Sequence, residues 1–273
     1  MDILTHYNTG QGQCNPTHPM DALFVTVSHI SFVAKWAESA ATFQYNQSSF
    51  TRLVRNFMAK LKDSVHSRLI EDLANDSMLE LQGNSKTFEH FSYALDAVDV
   101  TFQRILVPKE HFHTKMVYYS GKHAAYGMKF EVAVQPTGLA SFVSRPFEGS
   151  VHDVNIFKAN AQHHLSRTAK SAAERAQNAT DNGIGSEVHS NNWAILADKG
   201  YQGAASIACI ISPHKAVHGI LTLEQQQQNQ RISHDRIIVE NFFGRMKTYG
   251  VPCRILINLE GRTMALMPLG LWH

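Results

Sequence analysis

Cysteine is scarce in this chain, with three residues among 273. Cys14, Cys209 and Cys253 are far apart in the sequence and form no CxxC pair. A zinc knuckle and a disulfide framework are therefore not indicated, because both need closely spaced or evenly paired cysteines. We expect a protein of a reducing compartment.

Long apolar runs are also missing. No stretch reaches the roughly 18 uncharged apolar residues that a membrane-spanning helix needs, so we expect no membrane association. Residues 1–19 lack the basic segment and apolar core of a secretory signal. A compact Lys/Arg cluster typical of nuclear import is absent as well.

The chain carries little charge of either sign. Charged residues make up 18% of the sequence, the formal net charge is +2, and apolar residues make up 44%. This composition is that of a soluble globular protein. It permits a nucleic-acid partner without requiring one, because local clusters of basic residues matter more than the total.

Four segments follow from the pattern along the chain. The N-terminal residues are polar, a helical periodicity follows, and β-branched strand patterns then alternate with helical ones. We predict an α/β protein: a flexible tail over residues 1–28, a helical module over residues 29–75, an α/β core domain over residues 93–257 with a polar insertion at residues 158–192, and a tail over residues 258–273.

The helical module has two apolar stripes separated by a polar turn. Phe50, Leu53 and Phe57 mark the second stripe, and Ser48 or Ser49 is a candidate cap. Arg52 and Arg55 fall on its exposed side, where a helix-turn-helix protein reads DNA. A plain helical hairpin explains the same spacing equally well.

Acidic residues stand where predicted strands or turns end. Asp99 lies in a strand pattern from Tyr93 to Phe102, Asp198 follows Ala194-Ile-Leu-Ala197, and Asp153 stands at a predicted helix start capped by Ser150. Residues 126–134 and 139–143 form a predicted hairpin between these positions. Separated carboxylates of this kind hold Mg²⁺ in enzymes that act on phosphodiesters. The alternative for each residue is an ordinary turn aspartate or a solvent-facing strand residue.

A late helix adds a further carboxylate among bases. Arg236, Glu240 and Lys247 fall within a roughly 40° sector of that helix. The apolar neighbours predict that it is packed, so Glu240 would need a partner, which a metal ion would provide. A surface ion pair with Arg236 is the simpler explanation. Candidate phosphate-binding residues are Arg236, Arg245, Lys247, Lys199, Lys122 and Lys129, the last two within a stretch rich in tyrosine and histidine.

Four sequence blocks resemble one known family when taken in order. They are Tyr118-Tyr-Ser-Gly-Lys-His123 with Tyr126-Gly-Met-Lys129, Pro146-Phe-Glu-Gly-Ser-Val-His-Asp153, Leu196-Ala-Asp-Lys-Gly-Tyr201 and Arg236-Ile-Ile-Val-Glu-Asn-Phe-Phe-Gly-Arg-Met-Lys247. The chain resembles the DDE-superfamily endonuclease domain of PIF/Harbinger-type transposases from about Ala94 to Thr248.

The resemblance implies a ribonuclease H-like catalytic core and metal-dependent cutting and joining of DNA. Asp99, Asp198 and Glu240 match the catalytic carboxylates, and Asp153 matches a further metal-binding position, with Mg²⁺ or Mn²⁺ as cofactor. It also implies a nuclear protein that acts on DNA, with a Myb-like DNA-binding partner and homo-oligomers as further expectations.

Two positions depart from the pattern of the family. Val100 replaces a common Gly, and Ser233 stands where relatives have Tyr before the Arg-Glu-Lys spacing. Two other functions therefore stay open. The chain is either a domesticated or truncated transposase-derived protein that binds DNA or protein without catalysis, or a host nuclease of the same fold.

Overall fold

A computed structural model describes residues 17–32, 35–66, 75–105, 115–177, 183–216 and 219–248, with the backbone alone for residues 61–66. The chain divides into two compact units. We call Met1–Asp72 with Gly244–His273 the N-terminal unit, and Leu73–Phe243 the core unit.

The N-terminal unit begins with a helix inside the segment predicted as a tail. Helix α1 spans Pro19–Ser31, whereas the sequence predicted a flexible tail over residues 1–28. The difference has a local cause: Pro19 occupies the first helical position, where its missing N–H costs nothing, and the His18 side chain accepts the N–H of Met20. Residues 1–16 lie outside the described part of the chain.

Two further helices follow in the N-terminal unit. Helix α2 spans Trp36–Thr42 and helix α3 spans Gln47–His66. The α3 stripe is buried as predicted, and Arg52 and Arg55 are exposed. The cap of α3 is neither Ser48 nor Ser49, because the Asn46 side chain accepts the N–H of Ser49 at 3.1 Å. The core of the unit consists of Ala22, Val25, Ala40, Phe50, Leu53, Val54 and Phe57.

A mixed sheet organises the core unit. The predicted first strand and the hairpin are present, and Gly138 takes the positive φ of 84° that the turn requires. The strand order is β2-β3-β1-β6-β7, with β4 and β5 paired to β3. The described strands are β1 (Ala94–Arg104), β2 (Tyr119–Ser120), β3 (Ala125–Val134), β4 (Ala140–Val143), β5 (Phe147–Glu148), β6 (Ala194–Ala197) and β7 (Ile210–Ile211).

The helices of the core unit follow the strands and the loops between them. They are α4 (Met78–Gly83), α5 (Asp153–Ala159), α6 (Ala161–Thr168), α7 (Ala172–Gln177), a 3-10 helix (Lys199–Ala204) and α8 (Leu223–Thr248), which continues past the unit boundary at Gly244. The predicted insertion at residues 158–192 is largely helical where it is described. The cap of α5 is His152 rather than Ser150. Residues 225–230, a stretch rich in glutamine, lie in the first turns of α8.

Both faces of the sheet are covered. Val98 packs on one face against Phe157 of α5 and Tyr201 of the 3-10 helix. Leu95 packs on the other face against α4. Strands β1 and β6 are parallel, with Val98 opposite Ala197. Within the described residues, no helix is long and apolar enough to cross a membrane.

Candidate active site

The register of β1 and β6 brings two predicted site residues together. Val98 lies opposite Ala197, so Asp99 and Asp198 occupy the next positions on neighbouring parallel strands, whose backbones run about 4.8 Å apart. Asp198 directly follows the buried strand Ala194–Ala197, and Asp99 lies within β1 beside it. The sheet therefore presents two carboxylates side by side.

Arg236 of α8 bridges these two carboxylates. Its Nη2 lies 3.1 Å from Oδ2 of Asp99, and its Nη1 lies 3.6 Å from Oδ1 of Asp198. The Arg236 side chain is 8% exposed, whereas the sequence predicted that it binds DNA phosphates. In the described structure Arg236 instead holds two acids of the sheet.

The surroundings of Asp99 oppose its ionisation. Burial raises the pKa of Asp99, and the Arg236 guanidinium and the N–H of Val100 offset only part of that rise. The negative charges of Asp198 and Asp153 raise the pKa further. An additional cation near Asp99 would favour its ionised form and lower its pKa.

Glu240 lies on the same helix, one turn after Arg236. Four residues advance about 6 Å along the axis and return to nearly the same face. Glu240 is exposed, which contradicts the expectation that packing of α8 would bury it. The buried stripe of α8 is formed by Ile232, Asp235, Arg236, Val239, Phe242, Phe243 and Met246.

Asp153 stands at the start of α5 and has a basic partner. Nζ of Lys129 donates to Oδ1 of Asp153 at 3.0 Å and to the carbonyl oxygen of Val151 at 2.7 Å. Lys129 is 7% exposed. The ion pair of Lys129 with Asp153 fixes the first turn of α5. The predicted contact of Lys129 with DNA phosphates would compete with this ion pair.

The other predicted basic residues are exposed. Lys122 lies in the turn before β3, and Lys199 opens the 3-10 helix directly after Asp198. Arg245 and Lys247 are exposed on the last turns of α8. DNA binding by these residues stays a prediction.

Sequence reasoning missed a buried acid beneath the site. Glu131 is fully buried, and its Oε2 accepts from Asn160 at 2.7 Å and lies 2.9 Å from Nε2 of His164. Its Oε1 and the buried Tyr201 hydroxyl have no hydrogen-bond partner within the described residues. Burial raises the pKa of Tyr201 well above its usual value, and the charge of Glu131 adds to this. The residues of β3 are buried without alternation from Gly127 to Val134, so a period-two pattern in the sequence could not have placed Glu131 in the interior.

The ligand atoms of the three predicted catalytic carboxylates do not all lie close to one another. Asp99, Asp198 and Glu240 do not form a group of ligand atoms within 4.8 Å of one another, and the group of that kind within the described residues is Glu89, His90 and His234. The pair Asp99–Asp198 nevertheless fits a hard divalent cation, because its ligands are carboxylate oxygens. In this structure the guanidinium of Arg236 is the positive charge that lies next to both carboxylates.

One comparison with known proteins gave a match. A family model described as DDE superfamily endonuclease matches residues 98–264, which is more than half of the chain. No curated protein and no solved structure matches the chain. The endonuclease domain of this superfamily is ribonuclease H-like, so the predicted α/β fold class is confirmed.

Proposed function

Because the chain belongs to the DDE superfamily of endonucleases, we propose that it is a Harbinger-type transposase nuclease that cuts and joins DNA. The observation that carries the proposal is the pair of acids on neighbouring strands, Asp99 and Asp198, with α8 packed against both through Arg236. DNA is the substrate and Mg²⁺ or Mn²⁺ the cofactor. Nuclear location, a Myb-like partner and homo-oligomers belong to the same proposal.

Asp99, Asp198 and Glu240 would hold the divalent ions, with Asp153 as a further ligand. When bound, such ions activate the attacking water or 3′-hydroxyl and stabilise the leaving oxygen. Asp99 and Asp198 supply ligands from a rigid sheet. Glu240 supplies one from the solvent-facing side of α8, where a DNA strand has access.

Arg236 has two roles in the proposed mechanism. In the described arrangement it neutralises Asp99 and Asp198 and keeps two adjacent acids compatible with the fold. When a phosphodiester is bound, its guanidinium is a donor for phosphate oxygens beside the reacting group. Lys199, directly after Asp198, is exposed and can contact the DNA backbone.

The N-terminal unit supplies a separate DNA-binding element in this proposal. Arg52 and Arg55 lie on the exposed side of α3, and the guanidinium of Arg55 lies 5.8 Å from the Trp36 ring centroid. That contact limits the orientations of Arg55, which favours phosphate recognition of fixed geometry.

Cleavage of DNA that carries the element ends tests the catalytic proposal. We expect Mn²⁺-dependent nicking by the wild type, loss of at least 100-fold in Asp198→Asn, and unchanged nicking in Glu224→Gln, an exposed acid in the first turn of α8. Absence of metal-dependent nicking by the wild type would refute catalysis.

A second function has one observation in its favour. Arg236 already occupies the cation position between Asp99 and Asp198, as expected of a domesticated copy that binds DNA or protein without catalysis. Such a copy would bind DNA with the same affinity in the wild type and in Asp198→Asn, with or without Mn²⁺, and would nick nothing.

A further inference from the structure

A second group of ligand side chains lies outside the Asp99–Asp198 pair. The donor atoms of Glu89, His90 and His234 all lie within 4.8 Å of one another, and all three residues are exposed. His234 precedes Arg236 by two residues, which is about 200° around the helix. The two residues therefore project from opposite sides of α8, and the group is distinct from the carboxylate pair.

A buried acid, Asp235, holds this group in position through hydrogen bonds. The Asp235 side chain is 2% exposed, and its Oδ1 lies 3.1 Å from Nδ1 of His234. Its Oδ2 accepts the backbone N–H groups of His90 at 2.9 Å and Phe91 at 3.1 Å. One carboxylate thus fixes the ring of one histidine and the backbone of the other.

This hydrogen bond determines which nitrogen of His234 remains available. With Nδ1–H donated to Asp235, Nε2 carries the lone pair, and it lies 3.8 Å from Oε2 of Glu89. A carboxylate that holds the far nitrogen of a histidine is the usual support of a metal-binding imidazole. The rings of His90 and His234 have centroids 4.9 Å apart.

The donor set indicates the class of ion. Two imidazoles and one carboxylate suit Zn²⁺ and similar transition metals, whereas Mg²⁺ prefers oxygen ligands alone. Bonds of 2.0–2.1 Å in a tetrahedral site place ligand atoms about 3.3 Å apart. The 3.8 Å separation of Nε2 of His234 from Oε2 of Glu89 needs a shift of about half an ångström, and the separations to His90, which are within 4.8 Å, need shifts of at most about 1.5 Å. The exposed side chains of Glu89 and His234 have room for these shifts.

We propose that Glu89, His90 and His234 bind one zinc-class transition-metal ion, with water at the remaining position. The ion ties the segment just before β1 to α8. It fixes the helix that carries Arg236 and Glu240 against the strand that carries Asp99. The role is structural, so the site and the nuclease proposal stand or fall separately.

Titration calorimetry of the metal-stripped full-length chain with ZnCl₂ alone, in excess Mg²⁺, tests the proposal. We expect one site per chain that is lost in His90→Gln/His234→Gln and kept in His18→Gln, which removes an exposed histidine of the other unit. The site should survive Asp99→Asn/Asp198→Asn, which separates it from the carboxylate pair. Zn²⁺ should also raise the melting temperature of the wild type but not of the double histidine variant.

Two further readouts distinguish this site from scattered binding by the sixteen histidines of the chain. Co²⁺ should give the intense visible absorption of a four-coordinate ion in the wild type and not in His90→Gln/His234→Gln. Asp235→Asn should weaken Zn²⁺ binding 10- to 100-fold, with thermal unfolding measured to establish that the variant is folded. Equal Zn²⁺ uptake by the wild type and His90→Gln/His234→Gln, or no uptake by either, would overturn the proposal.

Discussion

Replacement of Arg236 by Met tests how α8 is held to the sheet. The variant keeps most of the apolar stem and removes the guanidinium between Asp99 and Asp198. Loss of one partner of a fully buried ion pair costs about 3–5 kcal/mol, whereas exposed pairs contribute less than about 1 kcal/mol. The carboxylates of Asp99 and Asp198 are 26% and 49% exposed, so each regains part of its hydration. We therefore expect the free energy of unfolding to fall by about 2 kcal/mol.

Chemical denaturation followed by tryptophan fluorescence measures this loss, and Arg231→Met is the matched control. Arg231 is an exposed arginine of the same helix, and its replacement should change stability by less than about 0.5 kcal/mol. A double-mutant cycle with Asp99→Asn should give a coupling energy of about 1 kcal/mol or more. A loss in Arg236→Met no larger than in Arg231→Met, or a coupling energy near zero, would refute the reasoning.

The pH dependence of the Arg236→Met variant has a defined sign. Burial raises the pKa of Asp99, and Arg236 is the largest influence that lowers it. The variant should therefore have a higher Asp99 pKa than the wild type. A folded-state pKa above the unfolded value means that ionisation opposes folding. The difference in stability between the variant and the wild type should accordingly be small at acid pH and grow as the pH rises through the wild-type pKa of Asp99, which lies above the ordinary value of about 4.

Three further predictions concern other parts of the chain. Gly149→Ala should destabilise the core by about 1–3 kcal/mol in thermal unfolding, because a Cβ there meets two backbone carbonyl oxygens, whereas Gly83→Ala, with open space, should be neutral. Asn46→Ala should cost about 1 kcal/mol in the same measurement, since it removes the α3 cap. His163 is an exposed residue, but partial burial of its ring in the stack on Phe142, with the charges of His164 and Arg167, lowers its pKa to about 4. NMR titration should find this lowered pKa, so that protonation opposes folding as the pH falls from 6.5 towards 4. An ordinary His163 pKa in that titration would contradict the prediction.

Local signals in the sequence predicted much of the sheet. Strand β1 and the hairpin of β3 and β4 follow from β-branched residues and a Gly turn. The positions of Asp99 and Asp198 follow from the same signals, because both acids lie on or directly after recognisable strands. Their adjacency also needs the parallel pairing of β1 with β6, which joins segments far apart in the chain.

Burial along α8 could not be predicted from the helical wheel. Arg236 and Glu240 share a face, yet the first is buried and the second exposed. A helical wheel gives the face of the helix on which a residue lies, but it does not show where the neighbouring sheet ends. For the same reason, Lys129 was predicted to contact DNA phosphates and Glu131 was not predicted as an interior residue, although tertiary partners bury both.

The pairing of Glu89 and His90 with His234 had no local signal at all. These residues join a loop before β1 to a helix near the end of the chain, with spacing that matches no metal motif. The hydrogen bonds of Asp235 to the backbone of that loop join the two segments.

Electron paramagnetic resonance of bound Mn²⁺ tests most directly whether Asp99, Asp198 and Glu240 form one metal site. In the metal-stripped chain with added Mn²⁺ and a short DNA duplex, we expect a spin-coupled pair of ions, since paired ions lie about 4 Å apart. The coupling should vanish in Glu240→Gln and persist in Glu224→Gln. Absence of bound Mn²⁺ in the wild type, or an unchanged coupled pair in Glu240→Gln, would show that these three residues do not form one metal site.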